Sequence, residues 1–295
     1  MQVLAVGYCT LDQIGLVDRF AENDVKVEMP TFSIQGGGTA ATAAVALSRW
    51  GASTRFIGKV ADDERGDLIV RTLSNEGVGT EYIVREPGKV SQVSFVIVEA
   101  SSGNSHSYYT PGNVAELKAG EVDASIVEGH DLLLVDGAYP AAQIHLMKKA
   151  RELGIPVVIE ATRDRGVTAE CVALADVVVA SEREASAFTG VGSLEGICEA
   201  FLAKGPTTAI VTLGDEGAVA KREEEEMVRV LAEDVAVVDR TGAGDIFLGA
   251  VGLGVLEEWP LDKIVRFANM AASLSCKGLG GRSAIESREK LEGLI

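Results

Sequence analysis

The sequence has 295 residues, 47% of them hydrophobic, enough to bury a full core as one large α/β domain, with or without an appendage. Its 44 acidic residues outnumber 27 basic ones, and the net charge of −17 argues against a nucleic-acid-binding protein, because clustered Lys and Arg bind phosphate backbones. No apolar run approaches the ~18 residues that span a bilayer and no leader is recognisable, so we predict a cytoplasmic protein that contacts no membrane.

Cysteines and histidines do not indicate a metal or redox site. No Cys-x-x-Cys pair occurs, so we predict buried, reduced thiols at Cys9, Cys171, Cys198 and Cys276. Three histidines are too few for a histidine metal cluster.

Short β-branched runs alternate with helical stretches, a pattern that predicts an α/β fold whose mostly parallel sheet is covered by helices on both faces. The predicted core strands are Val3–Gly7, Thr54–Val60, Asp131–Asp136, Pro156–Glu160, Asp176–Ala180 and Thr208–Leu213. The predicted helices include Thr39–Trp50, Arg65–Glu76, Ala141–Leu153, Glu182–Phe188, Ala243–Glu257 and Leu261–Cys276. No repeat or Pro-rich linker divides the chain, so we predict one domain over residues 1–295.

Other segments alternate polar and apolar residues with a period of two, and predict a small antiparallel sheet, or lid, within about residues 12–35 and 91–110. Its predicted strands are Ile14–Val17, Thr31–Gln35, Gln92–Glu99 and Ser105–Thr110, with Val93, Phe95 and Ile97 on one face. Such a small sheet needs a partner, which is a ligand, the core or a second subunit. The alternative is that these strands extend the main sheet as an edge.

A hairpin is predicted where two strand-like runs flank a row of four glutamates. The runs are Ala218–Lys221 and Met227–Leu231, and the glutamates occupy residues 223–226. Such an acidic run is typical of a solvated turn, so it is assigned no chemistry.

The run Asp239–Asp245, Asp-Arg-Thr-Gly-Ala-Gly-Asp, immediately precedes an apolar helical run. Small residues before a helix leave backbone N–H groups free for a phosphate, and the helix dipole favours negative charge there. The carboxylate of Asp245 would repel a resting phosphate, but it can accept a proton from an attacking hydroxyl. The alternatives are an ordinary Gly-rich turn with a helix-start Asp, or a dinucleotide fingerprint, which fits poorly this late in the chain; no Walker motif is present.

The chain resembles the ribokinase-like, or PfkB, carbohydrate kinases over nearly its whole length. Besides Asp239–Asp245, the matching segments are Gly36–Ala44, Phe56–Asp63, Ser181–Glu184 and Val211–Gly217. The resemblance implies a Rossmann-like core with a β lid, ATP as phosphoryl donor and Mg²⁺ as helper ion. From the apolar lid face we expect a homodimer clasped through the lids.

The resemblance also implies roles for individual residues. Backbone N–H groups at Gly242, Ala243 and Gly244 form an anion hole with that of Asp245, whose carboxylate is the general base. On the sugar side it implies hydroxyl recognition by Asp12, close backbone approach at Gly37 and Gly38, and a contact from Thr42, where many members have Asn.

Further roles concern the nucleotide and the ions. The resemblance places Thr212, Gly214, Gly217, Asn269 and Ser181 at ATP, and Glu184 at Mg²⁺ through water. Ser181 replaces the family's usual Asn, and Arg240 stands where Thr is usual. Asp239 and Ser283 are candidates for a K⁺ site. Without the resemblance, Asp12 is a turn residue and Glu184 a helix-start charge.

The sequence narrows the substrate only in part. We predict a neutral ketohexose or pentose, with an anionic sugar, either a phosphosugar or sulfofructose, as an alternative that Lys26 and the run 280–285 suggest. Ala138 argues against the anionic sugar, because the sulfofructose kinase branch of the family carries an Arg at about this position. Low aromatic content disfavours a nucleoside. The other classes considered are a sugar or nucleotide sensor without catalysis and, more remotely, a dehydrogenase.

Overall fold

A computed structural model of the protein describes residues 1–162 and 167–295. The strands are β1 (Gln2–Val6), β2 (Thr10–Val17), β3 (Thr31–Gly37), β4 (Ser53–Ile57), β5 (Lys59–Ala61), β6 (Val84–Glu86), β7 (Val93–Glu99), β8 (Ser105–Thr110), β9 (Leu132–Val135), β10 (Val157–Glu160), β11 (Val177–Ser181), β12 (Thr208–Thr212), β13 (Ala218–Arg222) and β14 (Val228–Val230). The helices are α1 (Thr39–Arg49), α2 (Glu64–Ser74), α3 (Pro140–Leu153), α4 (Ala169–Leu174), α5 (Glu182–Thr189), α6 (Leu194–Leu202), α7 (Ala243–Leu256), α8 (Leu261–Ser275) and α9 (Arg288–Glu292).

The main sheet has eight strands in the order β14-β13-β12-β11-β10-β9-β1-β4. The six strands from β12 to β4 are parallel, whereas β13 and β14 pair antiparallel, as the hairpin prediction requires. Every residue of β9 is buried, because a parallel sheet carries helices on both faces and its strands need apolar side chains on both sides.

Two hydrophobic clusters lie on opposite faces of this sheet. One contains the apolar faces of α1, α7 and α8, and the other those of α3, α4 and α6. The predicted α/β fold with helices on both faces is therefore confirmed. The predicted buried thiols are also confirmed, since all four cysteines are free and buried. No helix among the described residues is long and apolar enough to cross a membrane.

The lid is a separate four-stranded sheet in the order β3-β2-β7-β8. The predicted strands are present, but the expectation of a purely antiparallel sheet is wrong, because β2 and β7 pair in parallel. These two strands are separated along the chain by β3, α1, β4, β5, α2 and β6, a connection long enough to return the chain in the same direction.

The sequence predicted one face of the lid strand β7 correctly for Phe95 and Ile97, but it did not predict the burial of Val93. Phe95 is exposed and Ile97 half-buried on the outer face, whereas Val93, expected beside them, is buried. Val96 and Val98 pack with Ile14 in a small cluster on the inner face.

Other differences concern short elements. The predicted strand Thr54–Val60 is two strands, since the chain leaves the main sheet at Gly58 and pairs with β6 instead. Three helices were not predicted: α4, α6 and the five-residue α9. Both α4 and α6 begin at a hydroxyl cap, Thr168 and Ser193, that accepts a hydrogen bond from the backbone.

Helices α1 and α7 pack closely and thereby fix the relative position of two Gly-rich turns. Small residues permit this approach: a Cβ at Gly249 would lie 3.0 Å from the carbonyl oxygen of Ala43. Residues 246–254 of α7 are buried, so this helix is enclosed between α1 and α8. The first turns of α1 and α7 are therefore held by the core.

Candidate active site

A cleft of about 550 Å³ lies beside the first turn of α7 and the ends of β12 and α8. Its lining includes Thr212, Gly214, Gly217 and Asn269, for which the family resemblance implied a nucleotide contact, together with Ala243 and Gly244 of the Gly-rich turn. The structure thus brings residues from distant parts of the sequence to one cavity.

Two of these residues are fixed by the edge of the sheet. Asn269 donates from Nδ2 to the carbonyl oxygen of Val230 at 3.0 Å. Gly217 has φ +89°, and a Cβ there would overlap the carbonyl oxygen of Val230. The hairpin β13–β14 therefore shapes one wall of the cleft.

The Gly-rich turn forms the start of α7. Gly242 caps the helix in the left-handed region at φ 79° and ψ 0°, and its carbonyl accepts from the N–H of Ile246 at 2.9 Å. Gly244 is exposed, and Asp245 is half-buried in the first helical turn. A helix leaves its first N–H groups without partners inside the helix, so this end offers donors and positive potential to an anion.

Asp239 holds this turn against the chain that follows α8. One carboxylate oxygen, Oδ1, accepts from the N–H and the hydroxyl of Thr241 at 2.9 and 2.7 Å, and Oδ2 accepts from the N–H of Gly280 at 2.8 Å. The side chain is buried. Asp239 is therefore a structural tether of the turn.

Asp12 points from β2 toward the end of β3. Its Oδ1 accepts from the hydroxyl of Ser94 at 2.6 Å, and a Cβ at Gly37 would overlap Oδ2. Burial raises the pKa of the Asp12 carboxyl, while Ser94 and the charge of Arg282 act in the opposite direction. The result is a largely desolvated carboxylate facing bare backbone, which suits recognition of neutral hydroxyl groups.

The start of α1 forms the neighbouring wall. Gly38 has φ 97°, and a Cβ there would overlap the carbonyl oxygen of Tyr8. Thr42 is buried in the first turns of α1, and its Oγ1 accepts from Nε of Arg282 at 3.3 Å.

Ser181 and Glu184 lie at the start of α5. The register of the sheet pairs Ser181 with Thr212, so both stand at the same edge as the cleft. Ser181 caps α5, accepting from the N–H of Glu184 at 3.3 Å. Glu184 is buried and pairs with exposed Arg183 at 3.0 Å. Neither Ser181 nor Glu184 lines the described cleft.

Arg240 connects the turn to two other segments. Its guanidinium pairs with exposed Asp215 at 3.1 Å, and its Nη1 donates to the carbonyl of Ser102, at the tip of the β7–β8 hairpin, at 3.4 Å. This contact joins the lid to the Gly-rich turn beside the cleft.

Lys26 and Ser283 are exposed. Lys26 lies on the connection between β2 and β3, and in the part of the chain that the structure describes no carboxylate comes within 4.0 Å of its ammonium.

Three residues of the neighbourhood were not predicted from sequence. Ser94 supports Asp12, and Arg282 lies buried behind β3. Asp136 is buried and accepts from the N–H groups of Tyr8, Ala40 and Ala138, so it ties β1, α1 and the loop after β9 together. A charged residue inside a Gly-rich or apolar segment was the available signal for Asp136 and Arg282.

Comparison with known proteins gives a consistent result. The profile of the pfkB family carbohydrate kinases matches residues 1–288. The chain is 28% identical over 293 residues to a ribokinase of Haemophilus influenzae, covering 97% of this chain and 95% of that protein. It is 27% identical to a ribokinase of Bacillus subtilis over 99% of each chain. The crystal structure of a putative ribokinase from Agrobacterium tumefaciens superposes with a TM-score of 0.91 at 27% identity, covering 99% of this chain and 96% of that one.

Proposed function

Because this chain belongs to the pfkB family of carbohydrate kinases, we propose that it transfers the γ-phosphoryl group of ATP to a hydroxyl of a neutral pentose or ketohexose. One observation carries the proposal: the helix end with Asp245 borders the cleft, and the segment 280–282 links it to the strand end beside Asp12, since Gly280 donates to Asp239 and Arg282 donates to the carbonyl of Gly37. The candidate base and the candidate sugar carboxylate therefore share one neighbourhood. The similarity to ribokinases puts a pentose first among substrates.

Asp245 is the proposed general base. It removes the proton of the attacking hydroxyl as the oxygen bonds to the γ-phosphorus and the bond to the β–γ bridging oxygen breaks, giving a sugar phosphate and ADP. The N–H groups at Gly242, Ala243, Gly244 and Asp245 stabilise the charge on the transferred group.

The sugar is held between the lid and α1. Asp12 accepts hydrogen bonds from its hydroxyls, Gly37 and Gly38 allow it to approach the backbone, and the hydroxyl of Thr42 provides a further polar contact. ATP occupies the cleft at Thr212, Gly214, Gly217 and Asn269, with Ser181 at the same edge of the sheet.

Glu184 is the proposed link to Mg²⁺, through water. The residue type fits, since Mg²⁺ beside a phosphate is commonly bound through one carboxylate and its waters; the ion would neutralise charge on the phosphates. K⁺ fits less well at Asp239, because both carboxylate oxygens already accept hydrogen bonds from the chain. We assign no step to K⁺.

The outer face of the lid supports a homodimer. Phe32, Ile34, Phe95 and Tyr108 are 45 to 64% exposed there. A contiguous apolar surface on a small sheet indicates a docking surface, and a second lid offers the matching apolar face.

The test is a panel of sugars with ATP and Mg²⁺, measured by ADP release. We expect turnover of a pentose or ketohexose, and Asp245→Asn to lower kcat by about 10² to 10⁴ while ATP still binds. Asp262→Asn, an exposed change on α8, is the control. Turnover of the Asp245 variant within a few fold of the parent would reject the assignment, and sugar binding without any turnover would favour the sensor.

A further inference from the structure

Arg282 combines a positive charge with almost complete burial. It is 5% exposed, and its guanidinium donates only to neutral oxygens: Oγ1 of Thr42 at 3.3 Å, the carbonyl of Gly37 at 3.4 Å and Oγ1 of Thr72 at 3.5 Å. Among residues 1–162 and 167–295, no carboxylate lies within 4.0 Å of it. A buried charge without a direct counter-ion is costly, so a role that compensates the cost is expected.

The guanidinium of Arg282 and the carboxylate of Asp12 lie on opposite faces of the end of β3. A Cβ at Gly36 would overlap the guanidinium, whereas a Cβ at Gly37 would overlap the carboxylate of Asp12. Successive residues of a strand point to opposite faces, so the backbone of β3 separates the guanidinium from the carboxylate. Because Gly36 and Gly37 have no side chains, the guanidinium and the carboxylate can both lie close to the backbone that separates them.

The charged groups near Arg282 also indicate that it balances Asp12. Burial lowers the pKa of Arg282 to about 10, and the charges of Asp12, Asp245 and Glu76 oppose this change. Glu76 is already paired with Arg49 at 2.8 Å, and burial raises the pKa of nearby Cys9 to about 12, which keeps that thiol neutral. Asp12, across the end of β3, is therefore the carboxylate of the proposed sugar site that Arg282 is placed to balance.

We propose that Arg282 is the internal counter-ion of the sugar site, a positioning residue that fixes the Gly36–Gly37 backbone and Thr42 and keeps Asp12 charged from behind the strand. This rests on the proposed function and deepens it. Since the positive charge balances the protein's own carboxylates from the far side of β3, the site suits an uncharged polyol.

Arg282→Gln tests the electrostatic part of the role, because the amide can still donate hydrogen bonds but carries no charge. The pKa of Asp12 lies above its ordinary value, so KM for the sugar should rise as pH falls through it and Asp12 becomes protonated. Arg282 opposes that shift. Without its charge, the acid limb of the KM profile should move to higher pH by about one unit, with kcat changed less than KM.

Arg282→Lys and Thr72→Val are the matched variants that keep the charge. We expect both to leave the acid limb at the parent pH, with at most a pH-independent rise in KM from lost hydrogen bonds. An acid limb at the parent pH in Arg282→Gln would overturn the proposal and leave a purely structural arginine. A limb moved equally in Thr72→Val would do the same.

A second measurement separates this proposal from the proposed function. The carboxyl ¹³C resonance of Asp12, assigned with Asp12→Asn, is titrated in the free protein, where no turnover is needed. We expect a higher pKa in Arg282→Gln, or in Arg282→Met if the first variant does not fold, than in the parent. An unchanged pKa would reject the counter-ion role even if the enzyme phosphorylates sugars, and a raised one would support it even if no sugar is found.

Discussion

Glu184 is buried at the start of a helix, where a carboxylate can serve either an ion or the helix itself. If it orders the water around Mg²⁺, Glu184→Gln should raise the Mg²⁺ concentration for half-maximal rate while sugar KM stays near the parent value. Kinetics at varied Mg²⁺ measure this directly. If the charge only interacts with the helix dipole, the variant should lose about 0.3 to 1 kcal/mol of stability and keep its Mg²⁺ dependence.

The control for this variant lies two residues earlier. Glu182 is exposed on the same first turn, so Glu182→Gln removes a comparable dipole interaction without touching the buried position. Equal Mg²⁺ dependence in the two variants would remove Glu184 from the ion site.

A substitution of Lys26 tests whether the substrate is neutral or anionic. Its ammonium is exposed and, among the described residues, lacks an acidic partner within 4.0 Å, so an anionic sugar could engage it. We expect a neutral substrate, and therefore sugar KM of Lys26→Met within about two-fold of the parent. A charge-assisted contact is worth about 1.5 to 3 kcal/mol, so a ten-fold or larger rise in KM confined to phosphorylated or sulfonated sugars would contradict this expectation. Lys148→Met, exposed on α3, is the control.

Residues whose type and local spacing carry the chemistry were predictable. The Gly-rich turn with Asp245 is a continuous motif that can be recognised in the sequence, and two of its residues, Ala243 and Gly244, line the cleft. Arg282 was not predictable as a partner of Asp12, because the two are 270 residues apart and meet only through the end of β3. Long-range electrostatics of this kind leaves no periodic signal in a sequence.

At the scale of elements, the first turn of α7 distinguishes two glycines that the sequence motif treats alike. Gly242 has φ 79°, and a Cβ there would lie 2.5 Å from Cα of Gly281. Gly242→Ala should therefore lower the free energy of unfolding by about 1 to 2 kcal/mol or more, from the left-handed conformation and the overlap together. Urea denaturation followed by circular dichroism measures it.

Gly244 is the contrasting position. Nothing lies within 4 Å of a Cβ built there, and Ala favours a helix over Gly, so Gly244→Ala should keep or slightly raise stability. The added methyl group enters the cleft where the phosphates are proposed, and KM for ATP should rise. If Gly244→Ala is less stable than Gly242→Ala, the contrast between the two backbone positions is wrong. If Gly244→Ala binds ATP as the parent does, the placement of phosphate at this turn is wrong.

The long elements followed from periodicity, and the misplaced ones have physical reasons. Buried parallel strands such as β9 are continuous apolar runs, and α8 is strongly amphipathic, so both were predicted within one or two residues. The break at Gly58 was missed, because β4 and β5 form one continuous strand-like run and only their partners differ. Strand direction in the lid was missed because it depends on the crossover, which local alternation does not encode.

At the scale of the whole molecule, the lid predicts the oligomeric state. We expect a dimer at micromolar concentration by light scattering, because the outer face carries Phe32, Ile34 and Phe95 in solvent. The double change Ile34→Asp and Phe95→Asp should give a folded monomer. Leu294→Asp, an exposed apolar residue at the C-terminus, should leave the dimer intact. A monomeric parent, with and without ligands, would count against the lid contact.

The hydrogen bond from Arg240 to Ser102 connects the proposed sugar and ATP sites, since the tip of the lid hairpin rests on the turn that leads into α7. If the lid closes on a sugar and this contact changes as a result, the affinity for the nucleotide changes too. Thermodynamic linkage makes the factor the same in both directions. If a sugar tightens ATP binding, ATP tightens sugar binding by the same factor, and the protein then holds each ligand less well alone than together with the other.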